Sequence, residues 1–113
     1  MNVKLFEQDG VFVFQVNGEI NISTSPDLRK LFEKDQKKKI VIDFEKVTYI
    51  DSSGLATLVE VLKKTKTRGG ALGLASLSDK VKSLFEITKL DKLFSIFQNQ
   101  KDAVESVKQS PVH

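Results

Sequence analysis

Cysteine is absent from this sequence of 113 residues and histidine occurs only once, which excludes several kinds of chemistry. Without cysteine there is no disulfide scaffold, no thiolate metal site and no cysteine nucleophile. The single histidine is His113, the last residue, so a serine hydrolase would have to dock the end of the chain beside its nucleophile. We therefore expect no catalytic residues, no metal site and no enzymatic activity.

Long apolar runs and a strong excess of one charge are also missing. No apolar stretch approaches the roughly 20 residues that a membrane-spanning helix needs, and no basic-then-apolar signal segment stands at the N-terminus. The net charge of +3 comes from 18 basic and 15 acidic residues, which are interleaved along the chain. We expect a cytoplasmic protein with no membrane insertion and no direct binding of nucleic acid.

Apolar residues, by contrast, are plentiful. They make up 40% of the chain and include eight phenylalanines, enough to fill the core of one domain. Two segments rich in β-branched and aromatic residues flank the turn pair Asp9-Gly10, which predicts an N-terminal hairpin. A second turn pair, Asn17-Gly18, predicts that any strand after it is very short.

The rest of the chain alternates between apolar, strand-like segments and amphipathic, helix-like segments. Buried strands are predicted over residues 39–44 and 71–75, and a last short strand within 93–97. The predicted helices begin at residues that commonly cap helix N-termini, namely Ser25, the run 51–53, Ser78 and Asn99. The first of these strands is expected to run through a short loop into the capping run at 51–53.

Strand-helix alternation after a hairpin predicts an α/β domain. We expect a mixed β-sheet of four to five strands with an N-terminal hairpin, covered by about four helices. Residues 1–108 are predicted to form this single domain, and residues 109–113 a flexible C-terminal tail.

Residues 51–54 (Asp-Ser-Ser-Gly) lie where a buried strand gives way to a helix. Free backbone N–H groups and the positive end of the helix dipole stabilise an anion at such a place, so a serine there can act as a charge switch. The simpler alternative is that these residues only cap the helix. One cap needs one such residue, however, and the missing side chain of Gly54 is expected to open the backbone to another molecule.

These residues also resemble a known family. Residues 51–55, preceded by the strand-like residues 40–44 and followed by an aliphatic helix, are similar to the STAS domain family, in particular its bacterial anti-sigma factor antagonists. Residues 18–21 (Gly-Glu-Ile-Asn) and 90–94 (Leu-Asp-Lys-Leu-Phe) come in the family's order as well. The resemblance therefore spans nearly the whole chain and implies the STAS fold.

The resemblance also implies a function, that of an anti-sigma factor antagonist. In its unphosphorylated form such a protein sequesters an anti-sigma factor that is itself a GHKL-type serine kinase, and this frees a sigma factor for transcription. Phosphorylation of the first serine after the aspartate, here Ser52, ends the binding, and a PP2C-type phosphatase restores it. The kinase brings its own ATP, so no cofactor is expected in this chain. The resemblance implies that seven residues of this chain form the phosphorylation site or contact the partner, namely Asp51, Ser52, Ser53, Gly54, Asn21, Ser23 and Thr24.

One position departs from the family pattern, because many members carry aspartate where this chain has Asn21. The amide removes a charge near the serine loop, which bears on partner choice and on whether Ser52 is phosphorylated. The alternative is that Asn21 serves as a turn or local capping residue. Both interpretations are open from the sequence.

A second function is also open. A STAS module can serve as a scaffold or accessory subunit of a sensory, transport or lipid-trafficking complex, without phosphorylation. A neighbouring gene for a GHKL-type kinase or a PP2C-type phosphatase would favour the switch, and a transporter operon would favour the accessory role.

Overall fold

A computed structural model of the protein describes residues 1–35 and 37–110, and within these ranges a five-stranded sheet carries four α-helices. The strands are β1 (Asn2–Gln8), β2 (Val11–Ile20), β3 (Lys39–Ile50), β4 (Ala71–Ala75) and β5 (Ser95–Phe97). The helices are α1 (Ser25–Asp35), α2 (Ser52–Thr67), α3 (Asp79–Ile87) and α4 (Gln100–Gln109), with a 3-10 turn at Leu90–Lys92. Helix α4 thus includes Gln109, the first residue of the predicted tail, and residues 111–113 of that tail lie outside the described residues.

The strands lie in the sheet in the order in which they occur in the chain. β1 and β2 are antiparallel and form the predicted hairpin, whose turn residues Asp9 and Gly10 both have positive φ, 54° and 82°. Every later neighbour pair, from β2·β3 to β4·β5, is parallel. The predicted α/β fold with a mixed sheet is confirmed.

Apolar side chains cover both faces of the sheet, and each face packs against different helices. On one face, phenylalanines and aliphatic residues of β2 and β3 meet the buried sides of α1, α2 and α3. On the other face, α4 buries Val104 and Val107 against Val13 and Val41. The central strands read as apolar on both faces because helices cover both.

The pair Asn17-Gly18 does not form the predicted turn. β2 runs through it to Ile20, and Gly18 takes a φ of 112° beside a shift in the pairing with β3. Glycine tolerates this conformation in a bulge as readily as in a turn, so its residue type alone does not distinguish the two.

β3 is also longer than predicted, because it continues to Ile50 instead of entering a loop after Phe44. The extension pairs with the extended end of β2, where Ile20 lies opposite Ile50, and two register shifts take up the extra residues of β3. The two strands therefore end side by side, and the segments that follow them, residues 21–24 and 51–54, become neighbours.

Apart from the run 51–53, two of the predicted capping residues are confirmed and one is wrong. The side chain of Ser78 accepts a hydrogen bond from the Val81 N–H (3.2 Å), and that of Asn99 accepts one from the Asp102 N–H (2.8 Å). Ser25 instead is the first residue of α1 and is buried, with no hydrogen-bond partner for its hydroxyl among the described residues.

Candidate functional site

Asp51 is the residue of the run 51–53 that caps helix α2. Its backbone is extended (φ −103°, ψ −176°), and its carboxylate Oδ1 accepts a hydrogen bond from the Gly54 N–H at 3.0 Å. The Asp51 carbonyl accepts the first helical bond, from the Leu55 N–H, at 3.0 Å. One aspartate therefore provides the cap, and neither serine is needed for it.

The same carboxylate also joins the helix start to the segment that follows β2. Oδ2 of Asp51 accepts a hydrogen bond from the Ile22 N–H at 3.2 Å, and the Asp51 N–H donates to the Ile20 carbonyl at 3.0 Å. Asp51 thus has hydrogen bonds to two stretches of chain that are about 30 residues apart in sequence. These bonds fix the two stretches beside each other at the carboxyl edge of the sheet.

Ser52 is the first residue of α2 and is exposed. Among the hydrogen bonds of the described residues, none involves its hydroxyl, and the backbone N–H groups of Ser52 and Ser53 have no acceptor. Free N–H groups at the start of a 16-residue helix favour negative charge there. Ser52 is thus exposed at a place where an added anion would be stabilised.

Gly54 is buried, and its missing side chain serves packing within the domain. A Cβ at this position would lie 2.7 Å from side-chain carbons of both Ile20 and Ile50, and 2.8 Å from the Ile20 carbonyl oxygen. The expectation that Gly54 opens the backbone to another molecule is wrong, because the ends of β2 and β3 fill that space. Only glycine lets α2 begin so close to both strands.

Asn21 serves as a turn residue. Its side-chain Oδ1 accepts hydrogen bonds from the N–H groups of Ser23 (2.9 Å) and Thr24 (3.1 Å). The Thr24 hydroxyl in turn accepts from the Asn21 N–H (2.8 Å) and donates to the Glu19 carbonyl (2.9 Å). An aspartate could accept the same two bonds, so the turn does not require the amide.

An ion-pair network lies on the outer side of α2, further from the serine. Glu60 contacts Arg29 of α1 at 2.9 Å and Lys64 at 3.1 Å, and Lys64 also reaches Glu33 at 2.8 Å. The hydrogen bond from Lys64 and the charge of Arg29 lower the pKa of Glu60 below its ordinary value, and the two carboxylates raise the pKa of Lys64. These pairs connect α1 to α2.

Neither metal binding nor membrane spanning finds support in residues 1–35 and 37–110. No group of three or more histidine, cysteine, aspartate or glutamate side chains is placed to hold a metal ion. In the same ranges no helix combines the length and the apolar character that crossing a membrane requires.

Comparison with known proteins gives consistent matches over most of the chain. The family model of the STAS domain matches residues 2–103. An anti-sigma-B factor antagonist of Staphylococcus aureus is 31% identical over 99 residues, which cover 85% of this chain and 92% of that protein. The protein of the same name in Listeria monocytogenes is 35% identical over 99 residues, covering 85% of this chain and 86% of its own.

Solved structures agree with these sequence matches. A proposed anti-sigma factor antagonist of Thermotoga maritima superposes with a TM-score of 0.88 at 28% identity, over 95% of each chain. An anti-sigma factor antagonist of Mycobacterium paratuberculosis gives a TM-score of 0.86 at 28% identity, over 96% of this chain and 94% of that one. The resemblance found in the sequence is confirmed.

Proposed function

Since the chain belongs to the STAS domain family, we propose that it is an anti-sigma factor antagonist controlled by phosphorylation of Ser52. In the unphosphorylated form it sequesters an anti-sigma factor that is a GHKL-type serine kinase, and so frees a sigma factor in the cytoplasm. A PP2C-type phosphatase returns the phosphorylated form to the binding state. The names of the curated relatives support the general role of antagonist.

The observation that carries the proposal is the placement of the Ser52 hydroxyl. It is exposed on the first residue of α2, and Asp51 already provides the cap, so the hydroxyl can be modified without loss of a structural hydrogen bond. The kinase transfers the terminal phosphoryl group of its ATP to this oxygen: the bond between the β- and γ-phosphates breaks, ADP leaves, and the hydroxyl proton passes to a base of the kinase.

The phosphate changes binding more than folding. It adds a charge of about −1.5 to −2, which the free N–H groups and the dipole of α2 tolerate. A partner surface fitted to a neutral serine, however, would have to desolvate this charge beside the carboxylate of Asp51. The partner is therefore released while the domain stays folded.

The other predicted site residues support Ser52 in different ways. Asp51 caps the helix and holds the neighbouring segment, and Gly54 allows the helix to begin against the two strands. Ser53 is half-buried, and Asn21 builds the turn with Ser23 and Thr24. We propose that Ser53 and this turn form the rim of the surface that the partner contacts.

The proposal is tested by the binding of purified GHKL-type kinases of the host to wild-type protein, Ser52→Ala and Ser52→Asp. We expect Ser52→Ala to bind one of them like the wild type and to resist phosphorylation. Ser52→Asp should bind at least about tenfold more weakly, because the added carboxylate must be desolvated at the interface. Ser83→Asp, which adds the same charge on the exposed side of α3, is the control and should bind normally. Equal binding by Ser52→Asp and the wild type, or no binding by the wild type, would instead favour an accessory STAS module.

A further inference from the structure

We infer that Ile22 is the apolar anchor with which this protein docks onto the anti-sigma factor, and that Asp51 positions this anchor beside Ser52. The inference rests on the proposed function and adds to it the residue that supplies apolar binding energy. It also assigns Asp51 a role in binding that is separate from its role as a helix cap.

Ile22 is unusually exposed for a residue held in a defined turn. Its side chain is 73% exposed, whereas the apolar residues on either side of the turn, Ile20 and Leu28, are fully buried. A single exposed isoleucine is common on protein surfaces and means little by itself. Here, however, hydrogen bonds hold the turn that carries Ile22, and one of them joins it to Asp51, the residue before Ser52.

Five hydrogen bonds fix the backbone that carries Ile22. Asn21 Oδ1 accepts from the N–H groups of Ser23 and Thr24, and the Thr24 hydroxyl bonds to Asn21 N and to the Glu19 carbonyl. The fifth bond joins the Ile22 N–H itself to Asp51 Oδ2, at 3.2 Å. A backbone fixed in this way loses little conformational entropy when a partner binds, so the area buried by Ile22 counts more fully toward affinity.

The position of the anchor also explains why one phosphate is enough for release. Asp51 directly precedes Ser52 in the chain, and its carboxylate accepts the hydrogen bond of the Ile22 N–H, so the turn that carries Ile22 lies next to the first residues of α2. An aliphatic pocket of the partner that takes up Ile22 removes water from this surface. The phosphate would then have to lose its hydration beside the same pocket.

The test compares two isoleucines of similar exposure. Ile87 is 77% exposed but lies at the last residue of α3, which begins after β4 and runs back toward the opposite edge of the sheet. We expect Ile22→Ser to weaken binding of the purified anti-sigma factor kinase at least about 30-fold, the range of an interface hot spot, and Ile87→Ser to change it less than about twofold. Urea unfolding should show that both variants are as stable as the wild type.

The outcomes separate this inference from the proposed function. If Ser52→Asp abolishes binding while Ile22→Ser binds like the wild type, Ile22 is not the anchor and the phosphorylation switch stands. If Ile22→Ser and Ile87→Ser weaken binding equally, the effect is a general loss of apolar surface and the inference is likewise overturned. Failure of the wild type to bind any host kinase removes the proposed function and, with it, the anchor.

The positioning role of Asp51 is tested without a partner. In the variant Asp51→Ala the Ile22 N–H loses its acceptor, so its hydrogen exchange, measured by NMR, should become at least about tenfold faster. The Ser23 amide, which bonds to Asn21, is the internal control and should change much less. Unchanged exchange at Ile22 would show that Asp51 does not hold the turn.

Discussion

Asp51, Ser52 and Gly54 divide the work of the site among three neighbouring residues. The aspartate uses both carboxylate oxygens, one for the helix and one for the turn that carries Ile22. The glycine removes the atoms that would push the helix away from the strand ends. Asp51 caps the helix and Gly54 allows its close approach to the strands, so the structure does not depend on the Ser52 hydroxyl. This hydroxyl is therefore free to be modified.

Gly54→Ala should destabilise the domain. The added Cβ would lie 2.8 Å from the Ile20 carbonyl oxygen, which is backbone and cannot rotate away. We expect a loss of about 1–3 kcal/mol in the free energy of unfolding, as for other overpacked sites, measured by urea denaturation.

The control for this variant is Gly10→Ala. Gly10 has a positive φ of 82° but no heavy atom within 4 Å of the added Cβ, so this variant shows backbone strain without a clash. Its cost should be about 1–2 kcal/mol, the strain of an L-residue in the left-handed region. An unfolding free energy for Gly54→Ala equal to that of the wild type would show that α2 has room to move and that the close approach is not needed.

At the residue scale the sequence predicted local hydrogen bonds well and tertiary contacts poorly. Asp51, Ser78 and Asn99 cap helices because a cap depends on residues within one turn of the helix. The packing role of Gly54 was missed, because it depends on Ile20, a residue far away in the sequence. Ile22 was also not predicted, since nothing local distinguishes an exposed isoleucine from a buried one.

At the scale of elements, strand ends were the least predictable feature. The prediction ended β2 at the turn-type pair Asn17-Gly18. In the structure, the pairing between β2 and β3 continues to Ile20 and Ile50. Each strand provides the other's hydrogen-bond partners, so neither extension is visible in its own residues. This joint extension is what brings the segment after β2 to Asp51.

Helices α1 and α2 give a prediction for the dependence of stability on pH. Glu60 bridges Arg29 and Lys64, chiefly through its hydrogen bond with Lys64, and its pKa lies below the ordinary value of 4.5. Glu60→Gln should therefore lower the free energy of unfolding at pH 7, by at most about 1 kcal/mol because these pairs are partly exposed.

The sign of the pH effect follows from the lowered pKa. A group whose pKa is lower in the folded state stabilises the fold above its unfolded pKa, and this contribution is lost as the pH falls through the folded pKa. The difference between wild type and Glu60→Gln should thus shrink below pH 4.5, as measured by urea unfolding at a series of pH values. Glu105→Gln, which removes the weaker 4.0 Å pair with Lys108 within α4, should show no such difference at any pH. A constant difference between wild type and Glu60→Gln at every pH would exclude the ion pairs as its cause.

At the scale of the whole molecule, the alternation of strands and helices was sufficient to predict the α/β class and the parallel pairing. The apolar segments 39–44 and 71–75 also indicated buried strands. The sequence did not predict which helices pack on which face of the sheet. Helices α1, α2 and α3 share one face, and α4 covers the other. The face on which each helix packs depends on the strand order in the sheet, which no single segment encodes.

The place of the candidate site in the fold agrees with the proposed binding switch. The first residues of α2 and the turn after β2 lie together at the carboxyl edge of β2 and β3, and the core that holds them lies below. In the proposed switch, a charge added at this rim would meet solvent in the free protein and the partner surface in the complex. The domain can therefore remain the same in structure while its affinity changes.

The most direct measurement is the affinity of one anti-sigma factor kinase for two preparations of this protein, one unmodified and one phosphorylated by that kinase. Mass spectrometry should place a single phosphate on Ser52, and calorimetry should show binding at least about 100-fold weaker for the phosphorylated protein, while its urea unfolding changes by no more than about 1 kcal/mol. A phosphate on any other residue, or equal affinities of the two preparations, would contradict the role of Ser52 as a charge switch.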